Sequence, residues 1–410
     1  MKQALPEVTC RRLAWVGWLL LALAGPVVLF SCWGWLTTTR PAGIRILYDN
    51  FDMSVYHNSS RWTVAGEGVL YRDVRSEYPP LANVIFAAAR IVADTLAPFP
   101  VAFDNFAWTW MSFAWVVYVG VLRLSATALP RAALWLWLNP AALYFTLLRF
   151  DIYPAALTLL ALLAARRDRH LMAGLWLGLA VAVKGYPVFL VPSFAVFVWR
   201  RAGFGRGVAA GVLCLLPLVV SGGIVYSYAG WEATTRPYRE HASRDLDTQS
   251  STYDVLIDVC GLTEAREFAS RKITVHALQL AMALLAAATL PKRASQLADA
   301  GLVALLGFLT LSVFYSPQFV IWVLPLAACS GSRWARWGVF ALLVTSLLYF
   351  PVAYDIRGGN PGSAAAVQLY QAVIATACVL RLLVLGFSLY CLVRVRRDAD
   401  ETSTVGTVDS

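Results

Sequence analysis

The sequence predicts an all-α, polytopic transmembrane bundle of about twelve spans plus one re-entrant segment. Three observations carry that prediction. The 410-residue chain is 59% hydrophobic and only 14% charged, where a soluble domain would carry about 25% charged residues. The apolar excess recurs along the whole chain, in runs approaching the roughly 20 residues a spanning helix needs, and so is more than a single anchor. The runs are continuous, without the short alternating segments of a closed barrel.

Taken in order, candidate spans cover residues 13–36, 104–122, 132–148, 152–165, 171–184, 186–199, 207–228, 273–290, 298–314, 318–330, 335–353 and 366–392. The first follows MKQALPEVTCRR and shows no clean small-residue cleavage site, so it reads as an uncleaved span. Short spans meet at Arg149-Phe150-Asp151, Lys184-Gly185-Tyr186-Pro187 and Ser316-Pro317-Gln318. Basic clusters occur at Arg11–Arg12, Arg123 with Arg131, Arg166–Arg169, Arg200–Arg201 with Arg206, Lys292–Arg293, Arg333 with Arg336, and Arg394–Arg397. The positive-inside trend assigns all of them to the cytoplasm, together with both termini. Turns 37–80, 149–151, 184–187, 229–271, 315–318 and 354–365 then lie outside. Segment 81–98 breaks the alternation: it must begin and end outside, so it is expected to be re-entrant or to pack without crossing. Residues 1–397 form one transmembrane domain with extracytoplasmic loops 37–80 and 229–271, and 398–410 is expected to be a disordered cytoplasmic tail.

The net charge of +10 does not point to nucleic acid, because the basic residues sit in short clusters between apolar runs. The seven cysteines form no CxxC pair and mostly lie in apolar runs, where they act as small hydrophobes; neither a disulfide framework nor a zinc site is expected.

Under this topology the unusual polar residues gather outside. Asp52 and Tyr56 are four apart, so a helix would stack them on one face; a solvated loop carboxylate is the plainer reading of Asp52. Tyr78 precedes Pro79-Pro80, which interrupts regular structure. Arg149 and Asp151 read either as an interfacial ion pair or as a functional pair near membrane depth. A guanidinium fork suits a phosphate oxygen. Lys184, at the outer end of a span, opposes the positive-inside trend: it snorkels or meets a lipid phosphate. His241 and Arg244 lie in the most polar stretch, as a hydrated loop or as anion ligands. Gln318 belongs to a turn or is a substrate contact. Arg381 sits mid-span as a phosphate ligand, a buried structural ion, or a sign that the span is mis-drawn.

Several features are similar to one family: Asp52-x3-Tyr56, Gly68-x2-Tyr71, Tyr78-Pro79-Pro80-Leu81, Arg149-Phe150-Asp151-Ile152-Tyr153-Pro154, Lys184-Gly185-Tyr186-Pro187, and Ser316-Pro317-Gln318 with Trp322 and Pro325. Their order and common side resemble glycosyltransferase family 87, of the GT-C class, and in particular its polyprenol-phosphate-mannose-dependent α-mannosyltransferases. The resemblance implies a catalytic aspartate in the first outside loop, a position Asp52 matches and Asp49 rivals, and a hydrophobic donor groove with cations around a monophosphate. Some relatives carry a histidine pair where this chain has Ser316-Pro317-Gln318.

The implied activity is transfer of a hexose, mannose above all, from a polyprenyl-phosphate donor to a lipid or glycolipid acceptor, with inversion, on the extracytoplasmic face of the cell membrane. Asp52 would take the acceptor proton. Arg149, Lys184, His241 and Arg244 would hold the departing phosphate. Tyr56, Tyr78, Asp151 and Gln318 would contact substrate. No metal or cofactor is expected, since basic side chains can handle a monophosphate leaving group; the partners are donor, acceptor and membrane lipids, with no nucleic acid. Glucosyl and arabinosyl donors, the acceptor, the linkage and the oligomeric state stay open. Two rivals have other chemistry. A secondary transporter would place ionisable residues at the midplane and show internal repeats. A non-catalytic partner in envelope assembly would tolerate loss of Asp52.

Overall fold

A computed structural model describes residues 7–39, 50–66, 68–246, 251–360 and 362–405. Asp49, the rival of Asp52, lies outside the described residues. Within them every regular element is helical, and the only strand-like feature is an isolated bridge between Leu70 and Val74.

The N-terminal part is built from α1 (Glu7–Thr39), α2 (Phe51–Ala65), α3 (Pro80–Leu96) and α4 (Ala102–Ala128). Helix α1 runs along α4, and its outer side chains stay exposed, as a lipid-facing span requires. Trp108 and Trp115 of α4 donate their indole N–H groups to the Pro26 and Leu21 carbonyls of α1 at 2.9 and 3.0 Å, near the point where Pro26 deletes a helix donor. Helix α2 forms inside the stretch expected as a loop. It ends at Gly66, whose φ of 71° suits a left-handed cap. Helix α3 opens on Pro80, whose missing N–H is harmless in a first turn. It lies against α2 and α4 with Ala82, Asn83, Phe86, Ala89 and Ala93 buried, and at 17 residues it is not among the helices with the length and hydropathy of a span.

A central group follows: α5 (Leu134–Trp137), α6 (Pro140–Leu148), α7 (Ile152–Arg166), α8 (His170–Val183), α9 (Val191–Ala202) and α10 (Phe204–Ser243). The Asn139 side chain caps α6 by accepting from the Ala141 N–H at 2.8 Å. Helices α6 and α7 meet at Arg149–Asp151 with a bend of 117°. Close packing of α8 on α10 depends on glycine: a Cβ at Gly178 would lie 2.4 Å from the Leu213 carbonyl oxygen. Helix α10 breaks at Gly230, which has a φ of 79°.

The C-terminal part comprises α11 (Thr252–Asp258), α12 (Glu264–Ser270), α13 (Lys272–Ala288), α14 (Ala294–Leu311), α15 (Val320–Cys329), α16 (Arg333–Leu347), α17 (Tyr354–Gly359) and α18 (Ala364–Val405). The largest apolar core joins α4, α6, α7, α14, α15 and α16. Arg381 of α18 is buried beneath the Tyr315 ring, with its guanidinium carbon 3.8 Å from the ring centroid.

Among the described residues six helical segments have the length and hydropathy of a membrane span: Ala14–Thr39, α4, α10, α14, Arg333–Gly359 and Ala364–Val393. Counting bent α6–α7 as one span gives seven, against the twelve expected from sequence. The difference is one of length: α8, α13 and α15 are as apolar as spans but hold 14, 17 and 10 residues, short of a full crossing. In α15, Val320 through Ala328 are all buried by protein.

Candidate functional site

The first turn of α2, the break between α6 and α7, the end of α8 and the start of α15 converge at one end of the bundle. Asp52 lies in the first turn of α2, where the helix dipole favours a carboxylate. Its Oδ2 is 3.1 Å from Nε of Arg149, which caps the C-terminus of α6. Arg149 is only 5% exposed at its side chain and Asp52 21%, so the pair is shielded from bulk water on the arginine side. The guanidinium also donates to the Leu148 carbonyl at 3.2 Å and lies 5.6 Å from the Phe350 ring centre. Phe350 reaches it from the non-helical turn between α16 and α17.

Two residues further on, Asp151 forms a second pair. Lys184 Nζ donates to Asp151 Oδ1 at 2.6 Å, and the Trp322 indole N–H donates to the same oxygen. Asp151 is 1% exposed at its side chain. Burying a carboxylate so fully is unfavourable unless it is paired and hydrogen-bonded, as here. Lys184 lies over an aromatic floor, 4.2 Å from Phe150, 5.0 Å from Trp322 and 5.5 Å from Phe319. Trp322 is itself stacked between Tyr186 at 4.2 Å and Phe319 at 3.9 Å. The Lys184-Gly185-Tyr186-Pro187 turn and the first turn of α15 thus meet through the Tyr186 and Trp322 rings.

Tyr56 donates its hydroxyl to Asp52 Oδ2 at 3.3 Å, on the helix face the four-residue spacing predicts. Its ring packs 4.5 Å from Phe86 and 5.5 Å from Tyr78. Burial first and the Asp52 charge second push both phenols well above their ordinary range, so they stay O–H donors at neutral pH. Tyr78 also feels the Asp151 charge, which joins the two pairs electrostatically. The Tyr78-Pro79-Pro80 turn is pinned by Asn83, whose Nδ2 donates to the Tyr71 hydroxyl at 2.8 Å and to the Tyr78 carbonyl at 3.1 Å.

The remaining expected residues stand further out. Arg244 donates to Glu77 at 2.9 Å and covers the Phe314 ring at 4.6 Å, tying the polar stretch after α10 to the Tyr78 turn. His241 is exposed, within electrostatic reach of Arg244 and Lys184. Gln318 is half-buried and accepts from the Ser316 hydroxyl within its own turn. Sequence reasoning missed Phe150, which faces Lys184, Tyr56 and Tyr78 together, and also missed Glu77 and Phe350. Phe150 carried a signal in its place between Arg149 and Asp151; Phe350, distant in sequence, carried none. Among the described residues no three His, Cys, Asp or Glu side chains gather closely enough to hold a metal ion.

Compared with known families, the chain matches glycosyltransferase family 87 over residues 77–317, more than half of its length. The chain belongs to glycosyltransferase family 87. No curated protein matches it. Tyr78, Arg149, Asp151, Lys184, His241 and Arg244 fall inside the matched region of this family 87 membrane glycosyltransferase, and Asp52 and Gln318 fall outside it.

Proposed function

We propose that this glycosyltransferase moves a hexose, mannose in the first instance, from a polyprenyl-phosphate donor to a lipid or glycolipid hydroxyl, with inversion, on the extracytoplasmic face, within a GT-C-like fold. The observation that carries the reading is the Asp52–Arg149 contact of 3.1 Å beside the Asp151–Lys184 pair. It gathers two carboxylates and two cations at one helix-end cluster inside an apolar bundle.

In the proposed reaction the acceptor oxygen forms a bond to the anomeric carbon as the bond from that carbon to the phosphate oxygen breaks. The bonding electrons leave with the phosphate, and the acceptor proton goes to Asp52. Asp52, Arg149, Asp151 and Lys184 together carry two negative and two positive charges. Protonation of Asp52 raises that sum by one as charge grows on the phosphate, so proton uptake and leaving-group stabilisation reinforce each other. An arriving phosphate competes with Asp52 for the Arg149 fork and thereby releases the carboxylate to act as base. Tyr56 and Tyr78 keep their protons and orient hydroxyls. The stacked rings of Tyr186, Trp322 and Phe319 form an apolar wall suited to a sugar face or a prenyl chain. A donor with a lipid tail stays in the bilayer, which accounts for a site held at the end of membrane helices.

The test incubates the purified full chain with radiolabelled polyprenyl-phosphate mannose, glucose and arabinose, with matching nucleotide sugars, and with membrane lipid acceptors. Label should pass from a polyprenyl-phosphate hexose into lipid, giving an α-linked product from a β-linked donor, and none should come from nucleotide sugars. Transfer from a nucleotide sugar, or a retained anomeric configuration, would overturn the proposal. Movement of intact sugar across a vesicle without bond formation would favour a transporter.

A further inference from the structure

The opposite end of the bundle holds a second concavity, of about 330 Å³. Helix α7 runs 15 residues from Asp151 to Arg166, about 22 Å at 1.5 Å per residue, so this concavity is separate from the Asp52 cluster. Arg166 ends α7, Arg201 lies in the last turn of α9, Arg293 and Ser295 open α14, and Ser330 follows α15; all five line it.

Its charges do not cancel. Arg201 lies 2.8 Å from Asp168 and donates to the Lys292 carbonyl at 3.2 Å. Arg166 donates to the Ala128 carbonyl at 3.0 Å. Ser330 donates to Asp299, and Arg336 donates to the Ser330 carbonyl at 2.7 Å. Arg166, Arg201 and Arg293 therefore line the concavity with no carboxylate among the lining residues, Asp168 and Asp299 standing behind Arg201 and Ser330. Among the described residues neither Arg166 nor Arg293 has a carboxylate within ion-pair distance. The N-terminus of the 18-residue α14 adds the positive end of a helix dipole at the same place. Leu129, Pro130 and Phe197 supply apolar wall. Basic residues that only oriented the chain in the membrane would need no shared concavity; here the ends of α7 and α9 and the start of α14 bring three of them to one.

We propose that this concavity binds a phosphate group, held by Arg166, Arg293 and the start of α14. The volume lies at the lower end of small-ligand sites, and charge-assisted, bidentate contacts to phosphate are what arginine forms best. Both a membrane phospholipid headgroup and a soluble phosphate carry that chemistry.

The test uses the detergent-purified full chain with three probes: inorganic phosphate, dioleoyl phosphatidic acid and dioleoyl phosphatidylcholine. Thermal unfolding and native mass spectrometry read binding. Retention of phosphatidic acid over phosphatidylcholine would assign the headgroup as source. Saturable stabilisation by inorganic phosphate, with no preference between the lipids, would assign a soluble source. In either case the Arg166→Gln, Arg293→Gln double variant should bind at least about tenfold more weakly, and the corresponding double lysine variant should keep part of the affinity. Absence of binding by wild type to phosphate and to phosphatidic acid would overturn the site, as would unchanged affinity in the glutamine variant.

Discussion

At the scale of single residues, Lys184 and Asp151 have the clearest energetic signature. Asp151 is 1% exposed and gives one oxygen to both Lys184 and Trp322. Removing the cation alone leaves a buried, uncompensated carboxylate. Lys184→Met should therefore lower stability by about 3–5 kcal/mol. Lys184→Met combined with Asp151→Asn should recover most of that loss, because neither charge then remains. Denaturant unfolding in detergent checks both, and equal stability of the single and double variants would mean the pair is not coupled. The sequence already marked Arg149, Asp151 and Lys184 as unusual, because each lies between apolar stretches, and Asp52 through its spacing to Tyr56 and the family resemblance. It could not match the partners. Arg149 stood next to Asp151 in the chain and looked like its ion partner, yet Arg149 pairs with Asp52 and Asp151 pairs with Lys184. The bend of 117° between α6 and α7 parts the neighbours, and no local pattern encodes it.

At the scale of elements, α2 carries Asp52, and its seating on α3 involves a titratable contact. His57 of α2 lies 2.6 Å from Arg90 of α3, which also pairs with Asp94 at 2.6 Å. Burial first and the Arg90 charge second hold the His57 imidazole below its usual value of 6.5. A histidine with a depressed folded value stays neutral in the folded protein while the unfolded chain takes up a proton. Stability is then lost as pH falls below about 6.5, and the loss levels off once pH is below the folded value. Wild type should melt at a lower temperature at about pH 5.5 than at about pH 7.5, and His57→Gln, which keeps an acceptor for Arg90, should show a smaller difference. An identical pH difference in both proteins would remove His57 from the α2–α3 joint. Apolar runs made most of the helices legible. Helix α2 was legible only as a condition on Asp52 and Tyr56, because its polar composition reads as a loop. Helix ends were less legible, and runs such as α8 and α15 read as spans by hydropathy although these helices hold only 14 and 10 residues.

At the scale of the whole molecule, the chain has two chemically different ends. One gathers Asp52, Arg149, Asp151 and Lys184 among aromatic rings; the other gathers arginines at the ends of α7 and α9 and the start of α14. Placing the first end outside and the second inside makes a labelling prediction. In a cysteine-free background, Glu77→Cys should react with a membrane-impermeant maleimide on intact cells, and Arg167→Cys only after permeabilisation; labelling of both on intact cells would refute the assignment. The central claim is narrower: Asp52, presented by α2 against Arg149, is the base of sugar transfer. It is tested most directly by single-turnover transfer from a labelled polyprenyl-phosphate hexose, comparing wild type with Asp52→Asn at matched donor occupancy. Asparagine keeps the size and a carbonyl acceptor for Arg149 while losing the proton acceptor. The account predicts a fall in rate of at least about 100-fold with donor still bound. Transfer at the wild-type rate would contradict it.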